Sequence, residues 1–183
     1  MARNVEIKAR IESIDSIFPK AAALGDHGPV EIIQDDTFFA CRNGWLKLRA
    51  FSNDEGELIF YRRTDQIGPK ESFYIVSPTT SPDTLRESLS LAYGQMGRVR
   101  KRRILFLVGR TRIHLDRVEG LGEFLELEVV LKEGEEVTTG EAVARDLMER
   151  LGIQPNQLIE RAYVDLLTSE TSERCTILRK ENG

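Results

Sequence analysis

Charged and apolar residues alternate near the N-terminus of the chain, where they provide a first candidate for chemistry. In the segment NVEIKAR, residues 4–10, the polar positions are Asn4, Glu6, Lys8 and Arg10. The residues between them are apolar, which is the period of a strand with one buried face. A carboxylate two residues from a lysine can bind a cation and an anion from the same strand. The segment therefore predicts either a solvated strand or the wall of a site that holds charge.

Later segments repeat this pattern, with carboxylates and cations grouped on different predicted strands. The carboxylates are Glu6, Glu126 and Glu128, and the cations are Lys8, Lys47, Arg49, Arg63, Lys101, Arg103 and Arg112. The ordinary interpretation is an amphipathic sheet whose polar face contacts water. If the sheet instead curls into a barrel with this face inward, the buried cations need an anion and the buried carboxylates need a metal. A polyphosphate with Mg²⁺ or Mn²⁺ meets both requirements.

Short strands dominate the elements that must position these residues. Alternation and turn residues predict eight strands, at 4–11, 31–40, 45–51, 57–63, 73–77, 98–108, 110–118 and 123–131. Most are joined by short loops, which indicates a mainly antiparallel sheet. Helices are predicted at 13–24, 81–93, 139–151 and 157–168, the first kinked or divided at Pro19 and the second capped by Ser81. The fold class is therefore α+β in a single domain, residues 1–170, followed by a polar tail at 171–183.

Composition limits the classes of partner. A net charge of −4 argues against nucleic acid as the main partner, and the basic run at 98–103 divides between two strand faces. The longest apolar run, at 104–108, is too short to span a membrane. The two cysteines, Cys41 and Cys175, form no CxxC pair, which excludes a thiolate zinc site and favours a reducing cytoplasm. The sequence leaves room for a homodimer but does not require one.

Seven segments, taken in order, resemble the CYTH superfamily, the triphosphate tunnel metalloenzymes that include class IV adenylyl cyclases and thiamine triphosphatases. These segments are EIK at 6–8, QDDTFF at 34–39, LKLR at 46–49, ELIFYRR at 57–63, VRKRR at 99–103, HLDRVEGLGEFLELE at 114–128 and AYVDLL at 162–167. The resemblance spans roughly residues 4–167. It implies an eight-stranded antiparallel tunnel with a charged interior, flanked by helices. It also implies a triphosphate inside the tunnel and one or two Mg²⁺ or Mn²⁺ ions on its glutamates.

The resemblance also implies roles for individual residues. The three glutamates named above become metal ligands, and the seven cations become phosphate-binding residues. The candidate catalytic residues are Lys8 and Asp116, of which Asp116 falls where the family has an acidic residue near the reacting phosphate. Asn4 departs from the pattern because the family has its first glutamate there. An amide binds a hard cation more weakly than a carboxylate does, which puts a second metal in doubt.

Three functions remain open at this stage. The favoured one is metal-dependent hydrolysis of a triphosphate, such as inorganic triphosphate, ATP or thiamine triphosphate. The second is cyclisation of ATP to cyclic AMP and pyrophosphate, which needs a pocket for base and ribose. Trp45, Phe38, Phe39 and Tyr74 could line such a pocket, although aromatic residues more often pack in cores. The third is binding of a polyphosphate or nucleotide without turnover.

One histidine invites a further interpretation. His114 and Asp116 are two residues apart on the same predicted strand face, as a His–carboxylate metal pair would be. A single histidine with no partner histidine nearby is more often hydrogen-bonded structure. We therefore expect a structural role for His114.

Overall fold

Eight antiparallel strands form a closed barrel in the computed structural model of the protein, which describes residues 2–63 and 68–168. The strands are β1 (Ala2–Arg10), β2 (His27–Phe39), β3 (Trp45–Ala50), β4 (Gly56–Arg63), β5 (Lys70–Thr79), β6 (Gln95–Val108), β7 (Thr111–Val118) and β8 (Gly122–Val130). Their order around the barrel is β1-β5-β4-β3-β2-β6-β7-β8, and β8 pairs with β1 to close it. The predicted α+β fold with an antiparallel tunnel is confirmed.

Helices cover part of the outer surface. They are α1 (Ile14–Leu24), α2 (Pro82–Tyr93) and α3 (Val137–Leu151), with a 3₁₀ helix at Pro155–Gln157. None of the helices in the described part of the chain is long and apolar enough to cross a membrane.

The main apolar core lies outside the barrel, between its wall and two helices. Val5 and Ile7 of β1, with apolar residues of β7 and β8, pack against α1 and α3. Because successive strand residues face opposite sides, burying these apolar residues turns Glu6 and Lys8 into the barrel. The alternation seen in the sequence therefore determines which residues face the interior.

A second apolar cluster covers one end of the barrel. Phe124 of β8 packs edge-on against Tyr163, with ring centroids 4.8 Å apart. Ala162 and Val164 complete the cluster with Phe38 and other strand residues. We call this end, covered by residues 158–167, the closed end.

Several predicted boundaries were too short. β2, β5 and β6 all begin earlier than predicted, and β5 also runs two residues further. α1 is one helix from Ile14 to Leu24, so the predicted division at Pro19 is wrong. Pro19 has no N–H to donate to the carbonyl group of Asp15, and both residues are exposed, so water can bond that carbonyl group instead.

Two helix predictions need correction. Ser81 is the N-cap residue of α2, with Pro82 at the first helical position, but the Ser81 side chain makes no capping bond. The predicted fourth helix at 157–168 is wrong as one element. It is replaced by the 3₁₀ turn, a β-bridge between Ala9 and Leu158, and a helical segment at 163–168. The predicted tail at 171–183, with Cys175, lies outside the described residues.

Candidate active site: a charged tunnel

The barrel encloses a cavity of about 390 Å³ lined by the residues that the sequence singled out. Its lining includes Glu6, Lys8, Lys47, Arg49, Lys101, Arg103, Arg112, Glu126 and Glu128. Arg63 ends β4, but its side chain lies outside the described residues, so its phosphate-binding role stays a prediction. The charges that strand alternation placed on one face of each strand are therefore brought together in one cavity.

Asp116 on β7 anchors two of the cations. Its carboxylate accepts two hydrogen bonds from Arg103, both 2.6 Å long, and one of 2.8 Å from Lys101 Nζ. The Tyr163 hydroxyl donates a further bond of 3.2 Å. Burial alone would raise the pKa of Asp116, but Arg103 and Lys101 outweigh it and hold the pKa well below its usual value. The Asp116 side chain is therefore an ionised, fully buried partner of the cations that face the cavity.

Asp36 on β2 holds two further cations in the same way, and only β6 separates its strand from β7, which carries Asp116. It accepts two 2.8 Å bonds from Arg49 and one of 2.9 Å from Lys47. Burial lowers the pKa of Lys47 from 10.5 to about 8, and the charge of Arg49 adds to the fall while Asp36 opposes it. Sequence reasoning gave Asp36 no role, although it lies in the QDDTFF segment and opposes Arg49 in the β2–β3 register.

His114, Glu126 and Glu128 form the candidate metal centre. One ligand atom from each lies within 4.8 Å of the others. The arrangement follows from the β-sheet register, because His114 on β7 lies directly opposite Glu126 on β8. Glu6 lies opposite Glu128 across the β1–β8 pair, beside this cluster. The role of Glu6 as a metal ligand stays a prediction.

The protonation state of His114 suits metal binding. Burial lowers its pKa from 6.5 to about 3, with the charge of Arg103 adding to the fall and the nearby carboxylates opposing it. The ring is therefore neutral near pH 7, with a free lone pair. Its Nδ1 atom is buried and has no hydrogen-bond partner in the described structure; it lies 3.8 Å from Glu128 Oε1 and 4.0 Å from Glu126 Oε2. An unpaired buried nitrogen costs free energy unless it gains a ligand, so the expected structural role for His114 finds no support in its contacts.

The amide of Asn4 is a second buried group without a partner. The side chain lines the cavity, the residue is 2% exposed, and no hydrogen bond from the described residues reaches Oδ1. An amide oxygen is a ligand for hard divalent cations. Together, the carboxylates, a neutral imidazole and this amide fit a divalent cation such as Mn²⁺ or Mg²⁺.

The metal-cluster carboxylates are already paired with cations. Glu126 lies 3.1 Å from Lys8 Nζ and also contacts Arg103, while Arg112 donates a 2.7 Å bond to Glu128. Burial alone would raise the pKa of Glu126, but Lys8 and the other cations hold it well below its usual value. Both carboxylates are therefore ionised near pH 7, and a ligand can exchange with either partner of each ion pair.

The closed end presents an aromatic residue that sequence reasoning missed. Lys8 Nζ lies 3.7 Å from the centroid of the Tyr163 ring, which holds the ammonium group by a cation–π contact. The signal for this residue was present in AYVDLL at 162–167, but the long separation along the chain hid its contact with β1.

Two of the aromatic residues considered for a nucleotide pocket pack at the closed end. Trp45 stacks on Tyr61 with centroids 6.1 Å apart and meets Phe38 edge-on at 6.3 Å. Phe39 is buried. Tyr74 lines the cavity, and its hydroxyl accepts a long 3.5 Å contact from Arg112.

The other end of the cavity is its mouth. It is lined by Ile32, Phe51, Glu57, Val76 and Leu105. Val76 is 39% exposed there, which marks the transition to solvent. The cavity thus runs from an apolar mouth, past the cations and the metal cluster, to the covered end.

Comparison with known proteins gives the family. A family model for the CYTH domain matches residues 2–163. The chain belongs to the CYTH domain family. Adenylate cyclase CyaB of Aeromonas hydrophila is 26% identical over 167 residues, which cover 87% of this chain and 85% of that protein.

Solved structures share the fold. A protein from Pyrococcus horikoshii has a TM-score of 0.80 at 23% identity, covering 90% of this CYTH chain and 99% of its own. A Hippeastrum protein, described as a candidate adenylyl cyclase with a dominant triphosphatase activity, has a TM-score of 0.65 at 17% identity. The match covers 91% of this chain and 96% of the Hippeastrum chain. At these identities the likeness shows the tunnel fold alone.

Proposed function

We propose that this CYTH protein is a divalent-metal-dependent enzyme that hydrolyses a triphosphate held in its tunnel. The observation that carries the proposal is the cluster of His114, Glu126 and Glu128, set among cations within one enclosed cavity. Phosphoryl transfer depends on positioning and charge neutralisation more than on covalent help from the protein. The cavity supplies both kinds of group at close range.

The cations bind and orient the polyphosphate chain. Arg103 and Lys101 are held by Asp116, and Arg49 and Lys47 by Asp36, so neither pair needs to reorganise when an anion enters. Two such pre-oriented pairs, on strands β6 and β3 with only β2 between them, suit a chain of several phosphates rather than a single phosphate. When bound, Mg²⁺ or Mn²⁺ would supply charge neutralisation at phosphate oxygens and activation of the attacking water.

Lys8 is the best-placed candidate to contact the terminal phosphate. It faces the cavity next to the closed end, between Glu126 and the Tyr163 ring. A chain that enters through the mouth places its terminal phosphate at that depth. Asp116 then contributes by fixing Arg103 and Lys101 instead of touching the reacting phosphate, which revises the role that the resemblance implied.

Metal and triphosphate should bind cooperatively. Without ligands, the Glu126 carboxylate is paired with Lys8 and Arg103. A polyphosphate that takes over these cations frees the carboxylate for the metal, and a metal on the carboxylate frees the cations for phosphate. Each ligand therefore raises the affinity for the other, by the same factor in both directions.

Cyclisation of ATP is the second candidate. It is favoured by the similarity to the Aeromonas adenylate cyclase and by a mouth whose apolar lining could accept a base. Hydrolysis is favoured by the position of Lys8 deep in the tunnel, next to the closed end, where the terminal phosphate would lie. Cyclisation takes place at the α-phosphorus, which would lie nearer the mouth.

A phosphate-release assay tests the proposal. With inorganic triphosphate and Mn²⁺ we expect turnover that chelation removes, and a loss of at least about 100-fold in Glu126→Gln, as for other groups that stabilise developing charge. Glu119→Gln is the matched control, because Glu119 is exposed on the turn between β7 and β8. Metal-independent turnover, or equal turnover in the two variants, would contradict the metal assignment.

A further inference from the structure

Glu57 is a carboxylate at the mouth that the proposed reaction does not use. It is the second residue of β4, just after the hairpin from β3, and its partly buried side chain lines the cavity. In the register it lies opposite Arg49, but Arg49 directs its guanidinium to Asp36. Within residues 2–63 and 68–168, no hydrogen bond or ion pair engages the Glu57 carboxylate. It is therefore a negative charge left available at the entrance of a tunnel that binds anions.

The neighbours of Glu57 at the mouth are apolar. Ile59, two residues along the same strand, is 8% exposed and faces the same cavity, and Val76 lies opposite it on β5. Ile32 and Phe51 line the mouth from β2 and from the hairpin after β3. A polyphosphate alone gains nothing from these side chains, and it is repelled by Glu57. An organic group attached to the chain would bury apolar surface there.

We propose that Glu57 selects an organic triphosphate, one whose substituent carries hydrogen-bond donors or positive charge, over inorganic triphosphate. The inference rests on the proposed function, because it takes from that proposal the binding of the triphosphate chain inside the tunnel. The apolar lining contacts the body of the substituent, and the Glu57 carboxylate accepts its donors. A sugar diol and a cationic heterocycle share this donor chemistry.

The selectivity follows from two effects of the same charge. A carboxylate at a partly desolvated site accepts a hydrogen bond more strongly than a neutral group does. The same carboxylate repels a substrate that has only phosphates to place at the mouth. Removing the charge should therefore lower the affinity for the organic triphosphate and raise the affinity for inorganic triphosphate.

Steady-state kinetics on Glu57→Gln and Glu57→Leu, with ATP, thiamine triphosphate and inorganic triphosphate, test the proposal. We expect the ratio of kcat/KM for an organic substrate to that for inorganic triphosphate to fall about tenfold or more in Glu57→Leu, as for a lost hydrogen bond to a charged group. If the donors are neutral hydroxyls, the amide oxygen of Glu57→Gln preserves part of the ratio. If the substituent is a cation, the kcat/KM ratio falls equally in both variants. Glu55→Gln is the control, because Glu55 is exposed in the same hairpin and outside the cavity lining.

Binding measurements separate this inference from the proposed function. Isothermal titration of ATP and of inorganic triphosphate, each with Mg²⁺, reports selectivity even if neither is turned over. A fall in ATP affinity relative to inorganic triphosphate in Glu57→Leu would support the selective role whatever the reaction. Equal changes for the two ligands, in binding and in kinetics, would overturn it while leaving a triphosphatase activity intact.

Discussion

Replacing Asp116 with asparagine tests whether this residue anchors the cations or acts as a catalytic base. The asparagine side chain would occupy nearly the same volume as the native carboxylate. It would leave Lys101 without an anionic partner at 2.8 Å and Arg103 without its bidentate one. Breaking a buried ion pair from one side costs about 3–5 kcal/mol. Since Arg103 keeps its contact with Glu126, we expect a loss near the lower value, about 3 kcal/mol.

Thermal unfolding measures this loss directly. For a chain of this size, each kcal/mol shifts Tm by about 2–4 °C, so Asp116→Asn should melt about 6–12 °C below the wild type. Asp146→Asn is the matched control: Asp146 pairs with Arg150 at 3.4 Å on the surface, where both side chains are at least half exposed. Its Tm should stay close to that of the wild type.

The ligand response of the same variant refines the test. Inorganic triphosphate can replace the missing negative charge beside Lys101 and Arg103, so it should raise the Tm of Asp116→Asn more than that of the wild type. A variant that melts with the wild type, shows no larger ligand response and yet loses all turnover would refute the anchoring role. It would instead favour Asp116 as a catalytic residue near the reacting phosphate, the role that the resemblance implied.

Three further predictions concern the cavity. The pKa of Lys47 in the folded protein is about 8, so its positive charge is lost as the pH rises through that value. The affinity for inorganic triphosphate, measured by calorimetry, should therefore fall between pH 7 and 9 in the wild type and fall less in Lys47→Arg. Identical pH profiles for the two proteins would contradict this prediction. His114→Ala should weaken Mn²⁺ binding about tenfold or more, measured by electron paramagnetic resonance of free Mn²⁺, and an unchanged affinity would remove His114 from the ligands. Asn4→Glu should tighten Mn²⁺ binding in the same assay, whereas weaker binding would mean that the native amide is itself the required ligand.

Strand alternation alone predicted much of the site. Lys47 and Arg49, two residues apart on one strand, had to share a face, and the same rule placed Glu126 and Glu128 together. Alternation left open whether this face contacts water or the inside of a barrel, and the inward orientation came from the resemblance to the CYTH superfamily. The short loops predicted antiparallel pairing, which the structure confirms.

Pairing between distant strands could not be predicted in this way. Alternation assigns a face but not a register, so it did not show that Asp116 would lie opposite Arg103 or that His114 would lie opposite Glu126. These pairings bring Asp116 to the cations and His114 to the candidate metal ligands Glu126 and Glu128.

The closed end was hidden for a related reason. Tyr163 contacts Lys8 across almost the whole chain, and the segment that carries it was predicted as part of one short helix at 157–168. Its break into a 3₁₀ turn, a bridge and a short helix brings the ring over the barrel. The folded structure was therefore needed to show which end of the tunnel is open.

Phosphorus NMR of the purified protein with inorganic triphosphate and with ATP, each with Mg²⁺ or Mn²⁺, tests the central claim most directly. We predict metal-dependent appearance of orthophosphate, with loss of the signal in Glu126→Gln. Pyrophosphate with a cyclic phosphodiester signal from ATP, or shifts of the phosphate resonances with no product from either substrate, would contradict hydrolysis.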